Sequence, residues 1–288
     1  MFITQFTGNE KTVGTLSKAL QNGTLSHALL ITGEKGTGVN FFASLLACDI
    51  VNADSPEAVS RGENPLVSIV RGSGASGQIK VGDIRALNES RSYSSIAGAK
   101  RAFIIENCDN FNLSSANALL KNLEEPKDDI TYILTANNIS SLPATVRSRC
   151  RVYTLAEPEV EQTRRYFEKM NADLEKVGEF SAVYRGNIGK IQNALNDAKR
   201  AELLRTAQKI TDAAAEHDGY TVSKMLYPYV KDKPSLNMIF DDLGDIAALE
   251  MSERSVKMSE AVLKYRRILK TNVGTNIAVE NFSIECTK

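Results

Sequence analysis

Apolar residues follow two rhythms in the first half of the chain and one in the second. Pro65–Val70 and Arg151–Leu155 are expected strands, and His27–Thr32 (HALLIT), Arg101–Glu106 (RAFIIE) and Ile130–Ala136 are short, nearly continuous apolar runs. That is the pattern of strands covered on both faces. Between them lie segments with helical spacing. Lys11–Gln21 places Val13, Leu16 and Leu20 on one side, and an apolar helix follows from Val39 to about Ala47. Val81–Ser90 and Ser114–Glu124 are amphipathic, the second carrying Ala116, Leu119, Leu120 and Leu123, and Leu142–Arg149 is a short helix. Pro126 stops the helix before it, because proline offers no interior amide donor. Asn52–Asn64, rich in Ser, Glu and Asn, is expected to be a loop, and Gly72–Gly77 (GSGASG) a turn. Strands alternating with helices predict a three-layer α/β domain with a mostly parallel sheet over residues 1–157.

Beyond Glu157 the strand rhythm stops. Helical spacing covers Glu159–Met170, Leu174–Tyr184, Ile188–Ala215 and further segments through Lys270. Gly186-Asn187-Ile188-Gly189 interrupts the series, and Asp218–Gly219 offers a second break. These breaks suggest a small helical domain, residues 158–202, and an all-helical domain, residues 203–288. No internal repeat is visible.

Composition narrows the function classes. Of 288 residues, 42% are hydrophobic and 24% charged, and 35 Lys plus Arg balance 35 Asp plus Glu. That is a soluble, globular mixture. A chain that wrapped a phosphate backbone unaided would carry a basic excess, so any nucleic-acid contact is expected to be local or shared with partners. Cys48, Cys108, Cys150 and Cys286 are dispersed, with no CxxC pair, and neither His27 nor His217 stands at ligand spacing from them. They read as free thiols in a reducing compartment rather than as a disulfide or zinc framework. The opening MFITQFTGNEKT has no basic segment leading into an apolar run, which predicts a cytoplasmic protein with no membrane association.

The chemistry begins where the first strand meets the first apolar helix. Gly33-Glu34-Lys35-Gly36-Thr37-Gly38-Val39-Asn40 keeps the glycine frame of a phosphate loop. A working loop ends in Lys followed by Ser or Thr: the lysine meets the transferring phosphates and the hydroxyl meets magnesium. Here those positions are Val39 and Asn40. The acidic motif of such ATPases, an apolar strand delivering a metal-binding aspartate and then a glutamate that orients water, reads Glu106-Asn107 after Ala102-Phe103-Ile104-Ile105. Asn107 cannot act as a carboxylate base. Two losses in one direction predict a site without hydrolytic competence, and no cofactor is expected.

Asn117–Pro126 (NALLKNLEEP), Thr135–Asn137 and Ser148-Arg149-Cys150 together form a specific combination. With Leu25–Leu30 leading into Gly33, and Leu142–Cys150 (LPATVRSRC), they resemble the clamp-loader branch of the AAA+ superfamily, in the delta-prime form of bacterial DNA polymerase III. The matching residues cover about Phe6–Glu157. The resemblance implies an AAA+ α/β module, a lid at 158–202 and a collar at 203–288 that packs with other subunits in a five-membered ring. It implies as partners a tau/gamma-type motor subunit and a delta subunit, with the sliding clamp and primer-template DNA reached through the complex. It also implies a stator-like role without intrinsic ATPase or polymerase activity, in which Arg149 is an arginine finger acting in trans.

Further roles implied by the resemblance are vestigial sensors at Asn137 and Lys190. Arg147 reads as structural. Relatives commonly carry a four-cysteine zinc module after the first helix. Here only Cys48 stands in that region, so no metal is expected. Two alternatives stay open on the residues alone: a weakly active AAA+ ATPase of replication or repair, and a DNA-binding or scaffold protein in repair.

Overall fold

Each apolar run becomes a strand of one five-stranded sheet. The computed structural model describes residues 1–73, 77–90, 99–127, 129–250, 252–269, 271 and 274–288. The middle of the expected Gly72–Gly77 turn and the end of the helical series at Lys270 fall outside the described residues. In chain order the first elements are α1 (Glu10–Gln21), β1 (Ala28–Gly33), α2 (Val39–Val51), α3 (Pro56–Arg61), β2 (Val67–Val70) and α4 (Val81–Ser90). They are followed by β3 (Arg101–Ile105), α5 (Leu113–Glu124), β4 (Ile130–Ala136), α6 (Ala144–Arg147) and β5 (Arg151–Leu155).

All four strand pairings are parallel, in the order β2-β3-β4-β1-β5. Alternation along each strand builds two cores. Leu29, Ile31, Ala102, Ile104 and Ile133 face Leu16 of α1, α2 and Val59 of α3. Ala28, Leu30, Phe103, Ile105, Tyr132 and Leu134 face α4, α5 and Val146 of α6. This is the three-layer arrangement, and it explains why β1, β3 and β4 read as nearly continuous apolar runs: their side chains alternate between two cores, whereas β5 leaves Arg151, Val152 and Thr154 exposed. The carboxyl ends of β1, β3 and β4 lie side by side, so the glycine loop, Glu106 and Asn137 come together.

The helices α7 (Val160–Lys169), α8 (Leu174–Tyr184), α9 (Ile188–Asn196), α10 (Ala198–Ala215), α11 (Gly219–Leu226), α12 (Lys233–Ala247), α13 (Glu253–Ile268) and α14 (Thr275–Glu285) complete the chain. It divides into two compact units, residues 1–166 with 186–189, and residues 167–185 with 190–288. In the second, α10–α14 share a core in which Phe240, Tyr265 and Phe282 meet edge to face. Tyr184 at the end of α8 donates its hydroxyl to the fully buried Asp242 of α12 at 2.8 Å, and Arg200 of α10 pairs with the same carboxylate.

Three local expectations need correction. The polar stretch Asn52–Asn64 contains α3, because Ser55 caps it by accepting from the Ala58 amide, Pro56 opens it and Gly62 ends it at φ 74°. Only Pro56 and Val59 of this helix are buried, too few for an apolar rhythm to show. The long helix expected over Ile188–Ala215 is two helices, since Asp197 turns extended and caps α10 through the Lys199 amide. Leu142–Arg149 shrinks to α6, because Pro143 occupies its N-cap with extended backbone.

Candidate functional site

The glycine loop takes the conformation its residues require. Gly36 and Gly38 lie at φ 96° and 84°, which side-chain-bearing residues rarely adopt. Thr37 closes the turn by donating its amide and hydroxyl to the Glu34 carbonyl at 3.0 and 2.7 Å. The loop is then stitched to the Gly186–Gly189 turn. Asn187, fully buried, donates to the Lys35 carbonyl at 3.0 Å and to Glu157 at 2.7 Å. The Gly189 amide donates to the Gly36 carbonyl at 3.0 Å. A Cβ on Gly36 would fall 2.1 Å from Asn187 Oδ1, so the approach depends on glycine.

The two residues that replace the loop's lysine and hydroxyl have other partners. Val39 is 5% exposed and belongs to the core under β1. Asn40 accepts from the Thr135 hydroxyl at 2.5 Å and approaches Asn107 Oδ1 at 3.4 Å. Asn107, held at φ 56°, donates its amide to Thr135 Oγ at 2.9 Å. Asn137 reaches the same Asn107 oxygen at 3.4 Å, while its amide donates to Asp109 at 2.9 Å. Three positions singled out in the sequence thus meet in one neutral network around buried Thr135.

Glu106 is directed elsewhere. Its carboxylate lies between Arg71 Nε and Nη2, both at 3.1 Å, and Arg71 also donates to the Ser60 carbonyl. The donor set that would hold a magnesium–nucleotide in this fold does not fit one here: the lysine position is apolar core, the hydroxyl position is an amide bonded to Thr135, and the acidic position is neutralised by Arg71. Among the described residues no group of three or more His, Cys, Asp or Glu side chains gathers at metal-binding range.

Arg149 lies at the other end of the sheet. It precedes β5, whose first residue, Arg151, pairs with Leu29, while the phosphate-loop glycine Gly33 pairs with Leu155. Four strand steps separate those pairs, on the order of 13 Å along the sheet. Arg149 therefore cannot serve its own loop. Its guanidinium donates through Nη1 to the Thr145 carbonyl at 2.8 Å and through Nη2 to Glu124 at 2.5 Å, and its side chain is about one-third exposed. In the second unit, Lys190 Nζ is bound by both Asp245 oxygens at 2.9 and 2.7 Å, beside the Tyr184 ring. This ammonium is committed to a carboxylate.

Sequence reasoning missed Thr135, Asn187, Arg71 and Glu124 as partners in these arrangements. Thr135 left a signal, a polar residue inside an apolar strand, and Asn187 left another, a polar residue between two glycines. The four cysteines are free, three of them buried. Burial pushes the Cys150 thiol, next to Arg149, up to about 12 and Cys48 up to about 11, so neither is a ready nucleophile.

Comparison with known proteins shows the family to which the chain belongs. A family profile described as "DNA polymerase III, delta subunit" matches residues 8–159. The chain is 26% identical to the DNA polymerase III subunit delta' of Bacillus subtilis over 243 residues, covering 79% of this chain and 72% of that one. It is 31% identical to the tau subunit of Escherichia coli over 170 residues, 56% of this chain. The matches to the tau subunits of Escherichia coli and Salmonella typhimurium span only 26% and 35% of those longer proteins. A crystal structure of a DNA polymerase III gamma subunit-related protein from Thermotoga maritima superposes with TM-score 0.56 at 17% identity, covering 94% of this chain and 98% of that one. That likeness speaks for the fold.

Proposed function

Because the chain belongs to the AAA+ clamp-loader family, related to bacterial DNA polymerase III delta', tau and gamma subunits, we propose that it is a non-motor subunit of a DNA polymerase III clamp loader. In this role it assists ATP-driven loading of a sliding clamp onto primed DNA without hydrolysing ATP itself. One observation carries the reading: Asn40, Thr135, Asn107 and Asn137 bond to one another where a motor subunit needs a hydroxyl, a metal and carboxylates. Those side chains satisfy one another, and Glu106 is neutralised by Arg71.

The partners in this proposal are a tau/gamma-type motor subunit and a delta subunit, with the clamp and primer-template DNA engaged through the assembly. Residues 158–202 take the place of the lid and residues 203–288 that of the collar. Arg149 is the finger offered to the neighbouring motor site, where a planar, delocalised cation favours the charge that develops on the transferring phosphoryl group. Its position at the sheet end away from its own loop supports action in trans.

The test is reconstitution with motor, delta, clamp and primed DNA. The isolated chain should bind magnesium–ATP no tighter than about micromolar by calorimetry. Arg149→Ala should assemble normally yet lower DNA-stimulated ATP hydrolysis, by roughly a few-fold for the whole ring, since only one of several motor sites loses the finger. Arg149→Lys should rescue poorly, because ammonium lacks the planar fork. Wild-type ATPase and clamp-loading rates in a fully assembled Arg149→Ala complex would overturn the finger, and a nanomolar ATP isotherm the non-motor role.

A further inference from the structure

We propose that Glu124 is a positioning residue for Arg149, aiming the guanidinium before a neighbouring site presents its phosphates; this rests on the reading of Arg149 as a finger in trans. Two separate parts of the chain grip the guanidinium. From α6, four residues back, the Thr145 carbonyl accepts from Nη1 at 2.8 Å, and from α5 the Glu124 carboxylate accepts from Nη2 at 2.5 Å. Both grips have a firm base. Leu119 and Leu123 of α5 and Leu142 and Val146 beside and within α6 are buried in the same core, so the backbones carrying Glu124 and Arg149 keep a set separation.

The choice of residue at position 124 also asks for a cation. Glu124 is the last residue of α5, at the end where the helix dipole is unfavourable to a carboxylate. Nothing in α5 alone favours an acid there. The Arg149 guanidinium compensates both the carboxylate and the helix end.

A free arginine side chain is flexible, and ordering it while a transition state forms would slow the chemistry it assists. A finger already oriented avoids that penalty, which is the general advantage of preorganised charge. The grip is also weak enough to be useful. Glu124 and Arg149 are about one-half and one-third exposed, and solvent-screened pairs of this kind contribute little binding strength. A phosphate cluster of much higher charge can therefore draw on the remaining guanidinium donors without first breaking a strong bond. Glu124 thus restricts where Arg149 points and leaves it able to bind.

The experiment uses the reconstituted complex carrying the full-length chain as wild type, Glu124→Ala, Glu124→Gln, Arg149→Ala or the double Glu124→Ala/Arg149→Ala. DNA-stimulated ATPase is measured over a range of ATP concentrations. Glu124→Ala should lower kcat roughly two- to five-fold, the range expected from one exposed charged pair, with KM for ATP unchanged. Glu124→Gln keeps an acceptor oxygen and the side-chain shape, so it should lose less; it also serves if Glu124→Ala folds poorly. The double variant should be no slower than Arg149→Ala alone, because Glu124 acts only through the arginine. Wild-type rates in Glu124→Ala with a slowed Arg149→Ala would overturn this proposal and leave the finger standing. A double variant slower than Arg149→Ala by the full Glu124→Ala factor would overturn it too. Wild-type rates in Arg149→Ala would remove the finger and the positioning role together.

Discussion

At the scale of single residues, a substitution has meaning only through the partner it has found. Val39 is a lost phosphate ligand when read along the chain, yet in the fold it is a core residue packed beneath Gly33 and β1. Asn40 is more than a missing hydroxyl, since it accepts a hydrogen bond from Thr135 that a serine would place differently. This predicts the outcome of reinstating the lysine. Val39→Lys should destabilise the protein by about 2 kcal/mol or more in urea unfolding, because an ammonium and its stem must enter or displace apolar packing. It should produce no ATP turnover, because Asn40 stays bonded to Thr135 and Glu106 to Arg71. Steady hydrolysis by Val39→Lys would show that the neutral network rearranges for nucleotide far more easily than its bonding suggests. The positions themselves were legible in the sequence, because glycines and carboxylates have fixed offsets in this type of site. Their partners were not: Thr135 lies 95 positions from Asn40, and Arg71 lies 35 from Glu106.

At the scale of elements, short polar contacts decide where helices begin, and these are what periodicity reads least well. Ser55 starts α3 in a stretch that looks like loop, and Asp197 splits one long apolar rhythm into α9 and α10. Asp232 caps α12 and offers a clean test through pH. Its carboxylate accepts from the Ser235 hydroxyl at 2.7 Å, from the Lys199 ammonium at 2.9 Å and from the Ser235 amide at 3.2 Å. The Ser235 hydroxyl first, and Lys199 next, hold its pKa down to about 2. A carboxyl depressed in the folded state stabilises it above the unfolded pKa of about 3.9, and that contribution is lost as pH falls through the folded value. Asp232→Ala should therefore melt below wild type at pH 7, and the gap should narrow between about pH 4 and about pH 2. A gap equal at both ends of that window would mean that the carboxylate's charge plays no part in the cap.

At the scale of the whole molecule, the order of strands and helices was readable in the sequence, while the contacts that join the helices were not. The breaks in spacing suggest a small helical domain over residues 158–202, and by contacts residues 167–185 and 190–288 form one compact unit. Within that unit Tyr184, Arg200 and Asp242 tie α8, α10 and α12 together. Burial raises the Asp242 carboxyl pKa, and the Arg200 guanidinium opposes that shift. Removing one member of such a pair leaves the other buried and uncompensated, so Asp242→Ala should destabilise the protein by about 3–5 kcal/mol in urea unfolding. Replacing both, as Arg200→Met with Asp242→Leu, should be milder than the single change; a double variant as unstable as Asp242→Ala would mean that packing around Tyr184, rather than the charge pair, sets the loss. By itself the sequence determined the parallel α/β class, the following run of helices and the glycine turn after β1 with Val39 and Asn40 behind it, because strand rhythm, glycine turns and short motifs are local properties of neighbouring residues. Only the tertiary structure decided that Asn187 closes over the glycine loop, that three asparagines meet around Thr135, that Glu124 grips Arg149 and that Asp242 gathers three helices. Each of those contacts joins residues far apart in the chain, and a hydrogen bond carries no periodicity by which its distant partner could be recognised.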